Sequence, residues 1–254
     1  MSKIRYGSLF SGGGMGDFGF ELAGLELAWQ VEQNEYCRKI LDLRWPEVKK
    51  YGDIKGLDPA ELEAVDLITG GFPCTDISGA NNDPKGIAGE RSGLWKEQLR
   101  IIGALRPKYC VVENVAALLI RGIETVLGDL ASLGYDAEWG VIPASWHGAP
   151  HVRQRVWILA YPKGFGREAI AFQGSFAKKD CSKKPKEWKQ FLAINAGAYK
   201  IDEQWKEFEN IVCGDDDGGS EAVERLKLLG NGQTPCSTYV IGEMIKKIKE
   251  DKVI

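Results

Sequence analysis

The fold is decided by the stretch IRYGSLFSGGGMGDFGFELA, which spans residues 4–23. Its apolar first part, Ile4–Phe10, predicts a buried strand, and a helix is predicted from about Gly16 to Ala23. Three consecutive glycines, at 12–14, stand between the two elements. A glycine turn between a strand and a helix aims backbone N–H groups at a ligand, so this stretch predicts a site for a nucleotide-like group.

Outward from this turn, apolar strand-like runs alternate with helical stretches, which is typical of an α/β protein with a doubly wound, mostly parallel sheet. The further strands are predicted at 25–32, 49–51, 66–71, 109–113, 137–143 and 156–161. The further helices are predicted at 35–43, 94–105, 123–133 and 237–250, with a helical turn at 59–64 and a polar loop at 79–93.

Composition narrows the class of protein. The chain has 254 residues, of which 44% are hydrophobic and 27% charged, and this excludes collagen-like and disordered classes. No apolar run is long enough to span a membrane, and no hydrophobic signal segment opens the sequence, so a cytoplasmic protein without a membrane partner is expected. Six cysteines without CxxC pairing and two histidines predict neither a disulfide framework nor a metal site.

The character of the sequence changes after Pro162. Residues 163–212 carry ten Lys and Arg against seven Asp and Glu, although the whole chain has a formal net charge of −3. This change predicts a main domain at 1–162, a small inserted region at 163–225, and a segment at 226–254 that returns to the main domain. A nucleic-acid partner would therefore have to meet a local basic face.

Two reactive groups are predicted at the same edge of the sheet as the glycine turn. Cys74 follows the pair Phe72-Pro73 at the end of the fourth strand, and a proline just before a cysteine argues against simple filling of the core. Glu113 ends an apolar strand, where burial would raise its pKa toward the range of a general acid. A capping or salt-bridged carboxylate is the alternative reading of Glu113.

Three further features lie at this predicted edge. Glu32 ends the second strand about 20 residues after the glycine turn, where a carboxylate could bind a ribose. Asp53 follows the third strand, where it could meet an adenine amino group or act as an ordinary turn aspartate. Arg153 and Arg155 enter the last predicted strand, and period-2 alternation predicts that they share one face.

In this order, these residues resemble the DNA (cytosine-5)-methyltransferase family over residues 4–161 and 226–245. Five motifs carry the likeness: the cofactor loop at 8–14, the nucleophile motif at 71–74, the ENV motif at 113–115, the Q-x-R-x-R element at 151–155 and the final motif at 230–231. The chain departs from the family pattern at Met15, Thr75, His151 and the pair Gly232-Gln233, which bears on substrate positioning.

The resemblance implies a Rossmann-like fold and transfer of a methyl group from S-adenosylmethionine to carbon 5 of a cytosine flipped out of duplex DNA. Cys74 would add to carbon 6 of the ring, and Glu113 would hold a proton toward ring N3. Arg155 would contact the base carbonyl, and Arg153 would steady a loop or a phosphate. The implied cofactor contacts are Phe10, Gly12, Gly14, Glu32, Asp53, Phe72, Pro73, Leu94 and Asn231.

The resemblance also implies partners and leaves alternatives. Residues 163–225 correspond to a target-recognition region, and the basic run at 178–189 could follow a phosphate backbone or be a solvated face. The resemblance implies a monomer that acts on double-stranded DNA, with a cognate restriction endonuclease as a further partner. The alternatives are a tRNA-acting cytosine-5 methyltransferase, a catalytically silent nucleic-acid-binding relative, and a nicotinamide-dependent oxidoreductase that would leave Cys74 unexplained.

Overall fold

The computed structural model describes residues 3–73, 93–147, 152–164 and 232–251. The strands are β1 (Arg5–Leu9), β2 (Glu26–Val31), β3 (Lys49–Tyr51), β4 (Leu67–Gly70), β5 (Tyr109–Val115), β6 (Tyr135–Pro143) and β7 (Gln154–Pro162). The helices are α1 (Met15–Leu22), α2 (Glu35–Arg44), α3 (Leu94–Leu105), α4 (Leu118–Arg121), α5 (Ile123–Ser132) and α6 (Pro235–Asp251). Most of the predicted loop at 79–93 and of the region at 163–225 lies outside the described residues.

The seven strands form one sheet in the order β3-β2-β1-β4-β5-β7-β6. The strands from β3 to β5 run parallel, whereas β7 is antiparallel to both β5 and β6. The strand order reverses between β1 and β4, and open α/β sheets bind their ligands outside the carboxyl ends of the strands at such a switch point. The predicted doubly wound, mostly parallel sheet is confirmed.

Helices cover both faces of the sheet. On one face, α1 and α6 contribute Phe20, Ile241 and Ile245 to a core that also holds Tyr6 and Trp157. On the other face, α3 and α5 close a second core over the remaining strand residues. Each fully buried large apolar side chain contributes roughly 1.5–3 kcal/mol, so these two cores fix the positions of the strand ends.

Two glycines let α1 approach α6 closely. A β-carbon on Gly19 would lie 2.0 Å from Thr238 Oγ1 and 2.2 Å from the carbonyl oxygen of Pro235, and one on Gly16 would lie 2.2 Å from Gln233 Oε1. Glycine inside a helix costs roughly 1 kcal/mol relative to alanine, but here it permits a contact that a larger residue would block. This contact brings Gln233, which precedes α6, next to the N-terminal end of α1.

The strands β5 and β7 are longer than predicted. β5 continues past Glu113 to Val115, and β7 begins at Gln154 rather than at Val156. The antiparallel ladder pairs Glu113 with Trp157 and Val115 with Arg155. Because this pairing joins segments far apart in the sequence, local periodicity does not reveal it. The backbone of Glu113 is therefore paired with β7 at a level where β4 has already ended.

Within the described ranges, no helix has both the length and the apolar character that crossing a bilayer requires. The same part of the chain holds no group of three or more His, Cys, Asp or Glu side chains arranged to hold a metal ion.

Candidate active site

The glycine turn joins β1 to α1 at the switch point of the sheet. Gly12 and Gly14 have φ angles of 55° and 77°, and Phe10 has a φ of 55°. Glycine adopts this left-handed backbone without strain, whereas a side chain at Phe10 costs about 1–2 kcal/mol there. A β-carbon on Gly14 would lie 2.2 Å from Trp45 Cζ3, while no described atom lies within 4 Å of one on Gly12. The turn is therefore packed on its inner side at Gly14 and open at Gly12.

Glu32 and Asp53 follow the neighbouring strands at the same edge. Glu32 Oε2 accepts a hydrogen bond from the backbone N–H of Gly12 at 2.8 Å, so this carboxylate ties the end of β2 to the glycine turn. Asp53 is exposed and accepts a hydrogen bond from the backbone N–H of Lys55 at 3.0 Å. Asp53 thus caps a short 3-10 turn, which agrees with the turn-aspartate alternative.

The residues that lead to the nucleophile motif are firmly held. Phe72 is buried, with its ring centroid 5.6 Å from that of Trp95. Asn114 Nδ2 donates a hydrogen bond to the carbonyl oxygen of Phe72 at 3.1 Å. Leu94, at the start of α3, packs against the same core. The chain is therefore fixed as far as Pro73 by β5 on one side and α3 on the other.

Glu113 is a buried carboxylate at this edge, with 6% of its surface exposed. Arg155 Nε lies 3.0 Å from Glu113 Oε1, which makes an ion pair, but the geometry is not that of a hydrogen bond. Burial raises the pKa of Glu113 to about 7, while Arg155 and Arg153 act in the opposite direction. A carboxyl group with a pKa near 7 can hold or release a proton near neutral pH, as general acid-base catalysis requires. The predicted rise in the pKa of Glu113 is confirmed. The salt-bridged alternative also holds, because Arg155 lies beside the carboxyl group.

Arg153 lies just outside the strand that holds Arg155. Its φ of 27° is left-handed, and β7 begins one residue later. The two arginines are therefore not related by alternation along one strand, yet both act on the carboxyl group of Glu113. Arg153 Nη2 donates a hydrogen bond to the carbonyl oxygen of Gly232 at 2.7 Å, across 79 positions of sequence. Strained backbone of this kind persists only where the surroundings hold it in place, and it is common at functional sites.

Sequence reasoning missed the role of Gly71. In the parallel register Gly70 pairs with Val112, so Gly71 follows β4 at the level of Glu113. A β-carbon on Gly71 would lie 2.7 Å from Glu113 Oε2 and 3.4 Å from Gln233 Nε2. The missing side chain makes room for both groups beside the chain that leads to Cys74. The glycine pair at 70–71 was the signal that could have indicated this close approach.

Gln98 was also missed. It is fully buried on α3, and its Nε2 donates a long hydrogen bond, 3.5 Å, to the carbonyl oxygen of Gly70. Gln98 Oε1 has no hydrogen-bond partner among the described residues. The end of β4 therefore has polar side chains on both faces of the sheet, an unusual setting for a central strand.

The structure thus gathers most of the predicted site residues along one edge of the sheet. The predicted residues that it describes there are Phe10, Gly12, Gly14, Glu32, Asp53, Phe72, Pro73, Leu94, Glu113, Arg153 and Arg155. The two others, Cys74 and Asn231, lie outside the described residues. An open glycine turn beside a buried carboxyl group and two cations can bind a polar ligand and exchange a proton with it.

The strand order, and the polar residues that follow the carboxyl ends of the strands, are typical of a doubly wound α/β protein that binds a ligand at the switch point of its sheet. The family model described as C-5 cytosine-specific DNA methylase matches residues 4–246. The chain therefore belongs to the C-5 cytosine-specific DNA methylase family, as the resemblance of its motifs predicted.

Curated relatives agree with this membership. The chain is 35% identical over 164 residues to the type II methyltransferase M.NgoFVII of Neisseria gonorrhoeae, an alignment covering 62% of this chain and 44% of that protein. It is 33% identical over 159 residues to M.NgoBI of the same organism, covering 60% of this chain and 49% of that protein. The chain thus matches less than half the length of these relatives.

Solved structures share the fold. A prophage-encoded protein of Escherichia coli, assigned as a DNA modification methyltransferase, superposes with a TM-score of 0.69 at 15% identity, covering 98% of this chain and all of that one. The Dnmt2 methyltransferase of S. pombe superposes with a TM-score of 0.65 at 16% identity, covering 98% and 99% of the two chains. At such low identity these likenesses bear on the fold alone.

Proposed function

We propose that this chain transfers a methyl group from S-adenosylmethionine to carbon 5 of a cytosine flipped out of duplex DNA. The observation that carries the proposal is the buried Glu113, whose pKa burial raises to about 7, held by Arg155 where β4 ends. Membership of the C-5 cytosine-specific DNA methylase family supports the choice of base and of ring position.

Cytosine needs activation because its carbon 5 is a weak nucleophile. Addition of a nucleophile at carbon 6 makes carbon 5 electron-rich, which is covalent catalysis. By resemblance we assign this nucleophile to the thiolate of Cys74, whose sulfur forms a bond to carbon 6. The hydrogen bond from Asn114 to the carbonyl oxygen of Phe72 fixes the chain two residues before it. After methyl transfer, a water molecule takes the carbon-5 proton, the electrons of that bond re-form the double bond between carbons 5 and 6, and the sulfur leaves as the thiolate while N3 returns its proton to Glu113.

Glu113 handles the proton at ring N3 in this proposal. In its protonated form it donates to N3 while the sulfur adds to carbon 6, so negative charge does not accumulate on the ring. The carboxylate that remains is stabilised by Arg155 Nε at 3.0 Å. The other N–H groups of Arg155 are assigned to the base carbonyl. Arg153 is assigned to steadying the loop at Gly232, a role that its hydrogen bond to that carbonyl supports.

The glycine turn fits S-adenosylmethionine, which supplies the methyl group when bound. The open space at Gly12 suits close approach of a ligand to the backbone. The Glu32 carboxylate beside it suits the hydroxyl groups of a ribose. By resemblance the other contacts are assigned to Phe10, Gly14, Asp53, Phe72, Pro73, Leu94 and Asn231.

The DNA contacts belong to the same proposal. We assign target recognition to 163–225 and contact with phosphates to the basic run at 178–189, which meets the need for a local basic face. A monomer on double-stranded DNA and a cognate restriction endonuclease complete the proposed assembly, in keeping with the type II relatives.

Methylation with labelled S-adenosylmethionine tests the proposal. The purified protein should label duplex DNA and leave tRNA unlabelled, and bisulfite sequencing should locate the product at cytosine. Cys74→Ser should abolish labelling while calorimetry shows cofactor binding nearly unchanged. Labelling of tRNA alone would move the activity to RNA, and a Cys74→Ser protein with more than a few per cent of normal turnover would exclude the covalent route.

A further inference from the structure

Gln233 belongs to the short segment that returns to the site before α6. The segment is held at Gly232 by Arg153 and at Pro235 by the close packing of α6 on Gly19. Gln233 is half-buried, and its side chain lies in a slot left by Gly16 and Gly71. Its position is therefore set by contacts on both sides rather than by its own flexibility.

The amide of Gln233 has a definite orientation in this slot. Its Oε1 points toward Gly16, and its Nε2 points toward Gly71, where Glu113 Oε2 also lies. Gln233 Nε2 and Glu113 Oε2 therefore both line the space that the missing side chain of Gly71 leaves. An amide N–H group that faces a carboxyl oxygen across such a space is placed to donate a hydrogen bond to it.

Glu113 has complementary needs. Arg155 lies against its Oε1, while Oε2 faces the space above Gly71. In this orientation Nε2 can donate to the carboxylate form of Glu113, whereas Oε1 points away and cannot accept from the acid form. The amide therefore favours the ionised form without adding a charge.

We propose that Gln233 is a positioning residue for Glu113, which bonds the carboxyl group at Oε2 while Arg155 holds Oε1. This inference rests on the proposed function, since it gives the return segment a part in handling the proton of the target base. It also gives a reason for Gly71, because any side chain there would separate the two groups. The charges that act on Glu113 come from Arg155 and Arg153, so Gln233 adds the neutral partner.

Two substitutions of similar size test the contact. Gln233→Met keeps the length of the side chain but removes the donor, and it should raise the pKa of Glu113 by about one unit. Gln233→Glu sets a second carboxylate beside the first and should raise that pKa by about one to three units. Gln33→Met, at an exposed glutamine of the chain, is the matched control and should leave the pKa unchanged.

The pKa of Glu113 is measured on the free protein by difference infrared titration, with the spectrum of Glu113→Gln subtracted. The pH profile of single-turnover methylation should move in the same direction. If neither variant moves the titration of Glu113, Gln233 only fills space and the inference is overturned, even where Glu113→Gln abolishes methylation. If both variants move it, the contact stands whatever substrate the enzyme uses. Should Gln233→Met fail to fold, Gln233→Glu keeps the polar tip and decides the question alone.

Discussion

Two carboxylates are buried on the same face of the sheet, Asp17 in the first turn of α1 and Glu113 on β5, and different partners hold them. Asp17 Oδ2 accepts a hydrogen bond from Gln30 Nε2 at 2.8 Å, and burial raises its pKa to about 6 against the effect of Gln30 and Ser8. Glu113 has a cation against one oxygen and a glycine beside the other.

The comparison shows that burial raises the pKa of both groups but does not decide which one can react. Asp17 is 2% exposed, its side-chain partners Gln30 and Ser8 are neutral, and the nearby Glu21 adds to the rise in its pKa. Glu113 lies where β4 has ended, next to the chain that leads to Cys74. Position relative to the ends of the strands therefore separates a carboxylate packed beneath the glycine turn from one at the candidate site.

The largest expected difference between the two is in rate. Glu113→Gln should slow single-turnover methylation at least about 10²-fold, because the amide has no proton to supply to ring N3. Asp17→Asn should leave the rate within about threefold, because Asp17 has no path to the reacting atoms. Rapid-quench assays with labelled cofactor measure both rates. Equal losses in the two variants would break the distinction between the carboxylates.

The next prediction concerns pH and stability, in which the two carboxylates should behave alike. Each has a higher pKa in the folded than in the unfolded chain, so the folded state binds more protons and the free energy of unfolding falls as pH rises. The window runs from 4.5 to about 7 for Glu113 and from 3.8 to about 6 for Asp17. Each group should account for about 3 kcal/mol across its window.

Urea unfolding at a series of pH values measures this slope. Glu113→Gln should flatten it in the upper part of the range and Asp17→Asn in the lower part. A free energy of unfolding that rises between pH 5 and 7 in the normal protein would contradict the raised pKa values of both carboxylates.

A smaller effect should follow from removing the partner of Gln30. Asp17→Ala leaves Gln30 Nε2 buried without an acceptor, which costs about 1–3 kcal/mol. Asp17→Asn keeps an acceptor oxygen, and because both variants lack the buried charge, the alanine variant should be the less stable of the two. Denaturant midpoints at pH 8 compare the two variants. If alanine and asparagine destabilise the fold equally, the hydrogen bond at 2.8 Å does not hold the network together.

The smallest effect should come from a carboxylate that is not buried. Lys108 Nζ lies 2.8 Å from Asp66 Oδ1, but the lysine side chain is 62% exposed. Lys108→Met should change the free energy of unfolding by less than about 0.5 kcal/mol, since solvent screens exposed ion pairs. A larger loss would mean that exposure of the lysine does not make this ion pair weak.

Much of this arrangement could be predicted from the sequence. The glycine turn, the alternation of strands and helices, and the burial of Glu113 depend on local patterns that carry a clear period or a glycine signature. The extension of β5 to Val115 and the left-handed backbone at Arg153 could not be predicted, because both follow from pairing with distant segments. Long-range pairing leaves little trace in a short window of sequence.

The same reason explains why Gln233 stood out only as a departure from a family pattern. Its role depends on two glycines, at 16 and 71, that are far from it in sequence and lie beside it in the fold. A glutamine before a helix has no pattern of its own. The slot exists because Gly16 and Gly71 lack β-carbons. In the sequence these two residues are only glycines far from Gln233.

The packing of α6 against α1 also constrains the order in which parts of the fold can form. Lys246 Nζ donates to the carbonyl oxygen of Ala23 at 2.8 Å across 223 positions, so this contact closes one of the longest loops in the chain. During synthesis at about 5–20 residues per second, strands β1 to β5 leave the ribosome well before α6 does. Gln233 can enter its slot only after that helix has been made. A growing chain therefore carries its glycine turn long before Gln233 can make its proposed contact with Glu113.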